Sequence, residues 1–239
     1  MAGRMRRCYW GCGFSMVLAL IASLHGCAGP DAAPSPSLEQ GRVIELPEPQ
    51  HDSDVSIEKT LLQRRSIRDY TSESLTLQEI SQLLWAAQGV TSPRGFRTGP
   101  SAGALYPLEV YLVAGNVQDL TAGVYQYRPD LHQLVRLIDG DKRTELCDAA
   151  LTQSCVKDGA AVLVFIGVYD RTTAKYNDRG IRYVHIEVGH AAENVCLQAT
   201  AMELGVVTVG AFHDEEVAEL LSLPADAHPL YIIPVGRKE

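Results

Sequence analysis

The sequence predicts one domain of mixed helices and strands, without the strict βα alternation of a doubly wound fold. Three observations carry this. The elements run helix, helix, strand, strand, helix, strand, helix, strand, helix, strand. No GxGxxG follows a strand, which removes the dinucleotide-binding signature. About 185 residues remain once the N-terminal segments are set aside, enough for one domain with its own core.

In order, VSIEKTLLQRR reads as a helix with apolar residues at Val55, Ile57, Leu61 and Leu62. Thr76-Leu77-Gln78-Glu79 has the capping-box pattern. An apolar period follows through Ile80, Leu83, Leu84 and Ala87 to Gly89. TSPRGFRTGPSAGALYP is a long loop rich in Gly, Ser and Pro. LEVYLVA and GVYQYR alternate as strands, joined by residues 115–123. DKRTELCDAAL is a short helix. AVLVFIGV, 161–168, is a buried strand, and Lys175-Tyr176 falls in the loop after it. The 181–204 helix would be about 36 Å long. It is apolar or small on most sides, so it must be buried on several, which points to a subunit interface. GVVTVGAF is a strand leading into the helix DEEVAELLSL, and LYIIPVG is a final buried strand.

The N-terminus reads separately. Arg4, Arg6 and Arg7 precede an apolar run, 14–24, too short to span a bilayer as a mature helix. It leads into Leu24-His25-Gly26-Cys27, which resembles a bacterial lipoprotein box, with Cys27 lipidated after residues 1–26 leave. A plain secretory signal and an uncleaved anchor are the alternatives. The Arg6-Arg7 pair would suit twin-arginine export. Residues 27–54 read as a flexible tether rich in Pro, Ala and Ser, and the folded domain as 55–239. The expected location is outside the cytoplasm, facing the periplasm or cell exterior, with membrane contact only through Cys27.

The formal net charge is -8, and losing three arginines with the leader makes it -8 - 3 = -11. A chain this acidic has no general attraction to nucleic acid or anionic lipid. Any anion must be held by a local cluster. Beyond the leader lie Cys147, Cys155 and Cys196, with no zinc-site spacing. At most one disulfide can form within a chain, and Cys196 reads as a small buried hydrophobe.

The strongest local cluster is LLQRRSIRDY, residues 61–70. Arginine's planar donors match two phosphate oxygens at once, and Ser66 adds a hydroxyl. If the stretch is extended, Arg64, Ser66 and Arg68 share one face. The competing account is a basic helix end favoured by the helix dipole.

Further stretches add to this one: PSAGALYPLEVYLV, GVYQY, KYNDRGIRYVHIEVGHAAENVCLQA, LGVVTVGAF and the closing PVGRKE. Together, in this order, the sequence resembles the flavin-dependent nitroreductase family from about Ile57 to Arg237. More closely it resembles the SagB-type dehydrogenase branch, which includes azoline oxidases of thiazole and oxazole peptide biosynthesis. The resemblance implies an α+β fold with a central, mostly antiparallel sheet flanked by helices. It also implies an intertwined homodimer with FMN at the interface. Arg64, Arg65, Ser66 and Arg68 would hold the FMN phosphate and ribityl chain. Pro100, Ser101, Ala102 and Gly103 would lie near the flavin, often from the partner chain. Val209, Gly210 and Ala211 would flank the isoalloxazine, and Gly236 and Arg237 would close on the phosphate. Ala104 and Tyr106 stand where many nitroreductases have Asn and Gln, as SagB-type members tend to.

In azoline oxidases a Lys-Tyr pair at the place of Lys175 and Tyr176 is implicated in catalysis. Removing hydride to flavin N5 leaves a proton for a base, and either residue could take it. A solvent-exposed lysine beside a packed tyrosine is the alternative. His185 and His190 are spaced for packing rather than for a metal pair. Glu187 and Glu193 read as interface hydrogen-bonders, and Trp85 as core. Tyr106, Tyr125 and Tyr127 fit packing or a substrate pocket.

The resulting expectation is an FMN-dependent oxidoreductase working by a ping-pong mechanism on a small-molecule or peptide substrate. An exported location argues against NAD(P)H as donor and toward dehydrogenation. The alternative is a non-catalytic exported lipoprotein that keeps the fold to bind a ligand or partner.

Overall fold

The computed structural model describes residues 43–239. The proposed leader, Cys27 and most of the proposed tether lie outside these. The described chain forms a seven-stranded sheet in the order β1-β4-β3-β2-β5-β7-β6, with every neighbouring pair antiparallel. The strands are β1 (Val43–Glu45), β2 (Leu108–Ala114), β3 (Gly123–Arg128), β4 (Gln133–Asp139), β5 (Ala161–Val168), β6 (Leu204–Val206) and β7 (Ala227–Arg237). The helices are α1 (Ile57–Gln63), α2 (Leu77–Gln88), α3 (Arg143–Ala149), α4 (Ser154–Asp158), α5 (Asp170–Tyr176), α6 (Arg179–Ala201) and α7 (Asp214–Leu220). The expected α+β fold is the one observed.

Period-two alternation explains the layering. On the central strand β5, buried along its whole length, Leu163 and Phe165 join a core with α2 and α6. Val162, Val164 and Ile166 face a second core with α3, α4 and α7. The sheet is therefore covered on both faces, so its middle strands read as apolar runs. The predicted capping box starts α2: Thr76 Oγ accepts from Glu79 N–H, and Glu79 Oε2 accepts from Thr76 N–H at 2.8 Å.

Three expectations are corrected. The fold includes residues ahead of Val55, back at least to Val43: β1 pairs with β4, and Gln50 exchanges hydrogen bonds with Gln82 of α2. Those backbone groups find partners in spite of a composition that reads as a linker. β4 itself is a strand missed in the sequence, because Gln133, Arg136 and Asp139 interrupt its apolar alternation. Lys175 and Tyr176 end the helix α5 rather than sitting in a loop. Cys147, Cys155 and Cys196 are buried and free.

Candidate functional site

Helix α1 stops where Arg64 turns extended (φ -52°, ψ 125°), its N–H still reaching Thr60 O at 2.8 Å. The chain then runs beside β6. Ile67 N–H donates to Val206 O at 2.9 Å, and the Ile67 and Tyr70 side chains close over Gly205, where a Cβ would come within 2.8 Å of the Ile67 methyl. Arg64 and Ser66 thus point together, as alternation requires, and line a groove of about 140 Å³ with Gly189, Glu193, Thr208 and Tyr231. Arg64 Nε lies 3.8 Å from Glu193 Oε1, with both side chains at least one-third exposed. So loose a pair contributes little and leaves the guanidinium for another anion. A guanidinium, a serine and a threonine around one groove form a donor set that fits a phosphate.

The other arginines separate. Arg65 Nη1 donates to Leu62 O and Arg64 O at 3.0 and 2.7 Å, satisfying carbonyls at the α1 end. For this residue the helix-end account is the observed one. Arg68 is exposed, and its charge reaches Tyr70 and Cys155 of α4. Arg237 is not brought to the groove. Its Nη1 and Nη2 donate to Glu79 Oε1 and Oε2 at 2.7 and 3.0 Å, and it borders another groove with Thr71, Glu73 and Lys238. Alternation along β7 explains this, since Gly236 faces the Tyr70 ring and Arg237 the opposite side. A Cβ on Gly236 would lie 2.9 Å from Tyr70 Cγ, so that glycine has a packing reason. Val209 is buried and exchanges backbone hydrogen bonds with Ile232. Gly210 is exposed beside the Tyr231 ring, and Ala211 O accepts from Gln153 Nε2 at 2.9 Å. Tyr231 therefore joins this segment to the Arg64 groove.

A second cluster gathers at the loop before β2. Pro100 is exposed, and after it Ser101 anchors the turn: its Oγ donates to Glu187 Oε2 at 2.6 Å and accepts from Tyr106 N–H at 2.9 Å. Ala102–Ala104 form a short 3₁₀ turn in which Gly103 is left-handed (φ 65°), a conformation that suits glycine. A Cβ at Gly103 would come 2.8 Å from Tyr176 Oη and 2.9 Å from Lys175 Nζ. The fold thus brings the Pro-Ser-Ala-Gly loop against the Lys-Tyr pair within one chain.

That pair is placed by a tight elbow. Asn177, at φ 49°, turns α5 into α6, and Gly180 packs so closely on Thr172 and Thr173 backbone that a Cβ would come within 2.8–2.9 Å. Tyr176 meets Tyr183 of α6 edge-on, ring centroids 5.2 Å apart, and Lys175 Nζ lies 5.4 Å from the Tyr176 ring centroid. One turn beyond Tyr183 sits Glu187, 3% exposed and with Oε1 unpartnered. Burial, with only partial relief from Ser101 and Arg97, pushes its carboxyl up to about 7. The sequence showed an acid on an apolar helix but not its tie to Ser101. Thr208 and Tyr231 carried no signal of their own.

The two clusters lie along α6. Tyr183 and Glu187 serve the loop, and Gly189 and Glu193 the groove. Comparison with known proteins agrees with this architecture. Residues 61–237 match the model of the nitroreductase family. The Methanocaldococcus jannaschii protein MJ1384, which carries a nitroreductase name, is 48% identical over 82% of this chain and 96% of its own. A solved structure from Ralstonia eutropha JMP134, also titled as a nitroreductase, superposes with a TM-score of 0.73 at 31% identity, over 83% of this chain and 90% of that one. The Escherichia coli microcin B17-processing protein McbC is 29% identical over 62% of this chain, and the chain spans 57% of its length. Members of this family are flavin-dependent oxidoreductases. With its antiparallel sheet, its match along residues 61–237 and these relatives, the chain belongs to the nitroreductase family.

Proposed function

We propose that the chain is an FMN-dependent oxidoreductase of the SagB-type dehydrogenase branch, active as a homodimer, exported, and tethered through a lipidated Cys27. The observation that carries the flavin reading is the Arg64–Ser66–Thr208 groove, a donor set suited to phosphate in a chain of net charge -8. At about 140 Å³ it is smaller than the roughly 300–1,000 Å³ of a typical cofactor or ligand pocket, so the rest of the site must come from elsewhere.

A second copy would supply it. Ile57, Leu61 and Leu62 of α1 and Ile186 of α6 are exposed, Leu62 by 74%. Apolar side chains grouped on two packed helices suit a protein–protein interface. In such a dimer the Pro100–Gly103 loop of one chain would approach the Arg64 groove of its partner, with Val209–Ala211 beside it. FMN, when bound, supplies the two-electron redox chemistry. Arg64 and Ser66 would hold its phosphate, and Lys175 or Tyr176 would take or give the substrate proton. The likeness to a microcin-processing protein and the Lys175-Tyr176 pair favour dehydrogenation of a small heterocyclic or peptide substrate.

The test is direct. Protein purified with riboflavin supplied should release FMN on heating, identified by mass, and run as a dimer in light scattering. Arg64→Ala should weaken FMN binding by tenfold or more while the far-ultraviolet circular dichroism is kept. A folded protein that binds no FMN would instead favour a ligand-binding lipoprotein.

A further inference from the structure

Glu187 is, among the described residues, the one acidic or basic side chain that is fully buried. Oε2 accepts from Ser101 Oγ, and Oε1 has no partner. A carboxylate brought inside without a bonded cation is unfavourable, so its retention calls for an explanation. The charge that faces it is Arg97, which is held elsewhere. Arg97 Nη1 donates to Gln88 Oε1 at 2.9 Å, the guanidinium lies 4.5 Å from the Tyr106 ring centroid, and Nε is unpartnered.

What Glu187 does hold is the loop. Gly103, Ala104 and Tyr106 all have left-handed backbones, with φ of 65°, 53° and 46°. Ala and Tyr avoid that region, so the turn needs a restraint. Ser101 provides it from both sides, donating to Glu187 and accepting from Tyr106 N–H. The outer edge of the restrained turn is Gly103, against Tyr176 and Lys175.

We propose that Glu187 is a positioning residue for the redox site. Acting through the Ser101 hydroxyl, its carboxylate holds the 101–106 loop in the strained form that sets Gly103 against Lys175 and Tyr176, and protonation of that carboxylate loosens the loop. What the loop serves rests on the flavin-dependent reading above; the latch itself does not.

The ionised form is the one that holds. A hydrogen bond to a carboxylate is roughly twice as strong as one between neutral groups. Ionised Glu187 accepts the Ser101 hydroxyl hydrogen bond and leaves the Oγ lone pairs free for Tyr106 N–H. A proton added at Oε1 would find no acceptor, and one added at Oε2 would compete with that of Ser101. The charge that acts on Glu187 is Arg97, which in turn feels Asp130, Tyr106 and Arg171 and bonds the uncharged Gln88 of α2. Lys175 and Tyr176 of α5 meet the far side of the loop at Gly103, and Tyr183 and His190 are the titratable neighbours of Glu187 in sequence along α6. Burial raises the carboxyl to about 7 and the Ser101 bond lowers it. A loop that opens while Glu187 stays packed in α6 loses only that bond, so ionisation favours the closed loop. Unfolding of the whole chain loses burial as well and has the opposite sign.

Amide hydrogen exchange at Tyr106 in the full chain, corrected for the intrinsic pH dependence, tests the latch. In the wild type, protection should rise about fivefold from pH 6 to pH 8, as a neutral hydrogen bond becomes charge-assisted. Glu187→Gln should show no such rise, and Ser101→Ala should be weakly protected at both pH values. FMN titrated against the same proteins should gain more affinity from pH 6 to pH 8 in the wild type than in Glu187→Gln, whose gain is only that of the phosphate's own second ionisation at about 6. Equal wild-type protection at both pH values, or a rise that survives in Glu187→Gln, would overturn the latch. Failure of FMN to bind the wild type at either pH would sink the flavin reading, while the exchange data still decide the latch.

Discussion

Arg237, at the end of the last strand, grips Glu79 at the start of α2 with two hydrogen bonds of 2.7 and 3.0 Å. Glu79 is at the same time the reciprocal partner in the α2 capping box. One carboxylate therefore fixes a helix start and ties it to the sheet. Glu79→Ala should lower stability by about 1–3 kcal/mol, from cap and charged hydrogen bonds together. Arg237→Ala should lower it less and leave FMN affinity within about threefold, because Arg237 is not in the Arg64 groove. Urea midpoints and FMN titration measure both; selective loss of FMN in Arg237→Ala would restore that residue to the phosphate site.

Gly103→Ala acts on the site rather than on the core. The left-handed backbone costs alanine about 1 kcal/mol, and the new methyl would meet Lys175 Nζ and Tyr176 Oη. Both of those ends can swing away. The expected result is a small stability loss and a much larger loss of turnover with any accepted substrate. A variant with full turnover would show that the contact is incidental.

Lys175→Ala and Tyr176→Phe separate the two candidates for the substrate proton. The residue that transfers it should lower kcat by about 10²-fold or more, without changing the bound-flavin spectrum. The other should cost little. If neither variant slows turnover, the proton leaves by another route.

A buried and a half-buried group, Glu187 and His132, give stability opposite pH dependences. Glu187 has a carboxyl raised from 4.5 to about 7. Between those values the unfolded chain has released a proton that the folded chain keeps, so stability falls as pH rises, by on the order of 3 kcal/mol in all. Glu187→Gln should gain on the wild type across that window. His132 is shifted the other way by burial, below 6.5. It accepts from Tyr127 at Nδ1 (2.8 Å) and meets Ser81 at Nε2 (2.7 Å), which suits a neutral ring. Its contribution is complete above 6.5 and is lost as pH falls through that value and toward the folded one. Thermal melts of the wild type, Glu187→Gln and His132→Gln from pH 4 to 8 should show the two slopes disappear one at a time.

Much of the fold was legible because its signals are local. The capping box at Thr76–Glu79, the all-apolar β5 and the alternating β2 each state their element in a few residues. β1 and β4 were not legible, since each depends on the other: three residues of the first pair with three of the second, and neither has a strong period alone. The site divided in the same way. Arg64 and Ser66 could be paired from alternation along an extended stretch. That Arg65 serves a helix end, and Arg237 an acid on α2, depends on partners more than a hundred residues apart or on where a helix stops. Glu187 looked like an interface acid because its partner, Ser101, lies 86 positions away in a loop with no periodicity.

The twelve residues from Val43 to Asp54, which resemble linker in composition, bear on solubility. β1 is only three residues long and covers the outer edge of β4, where Leu134 and Val135 are buried and backbone groups are otherwise unpaired. A short strand used in this way shields an edge on which another chain could add. A protein begun at Val55 would keep every residue of both clusters and lose that shield. It should aggregate on concentration through β4, even if a trace of it still bound flavin.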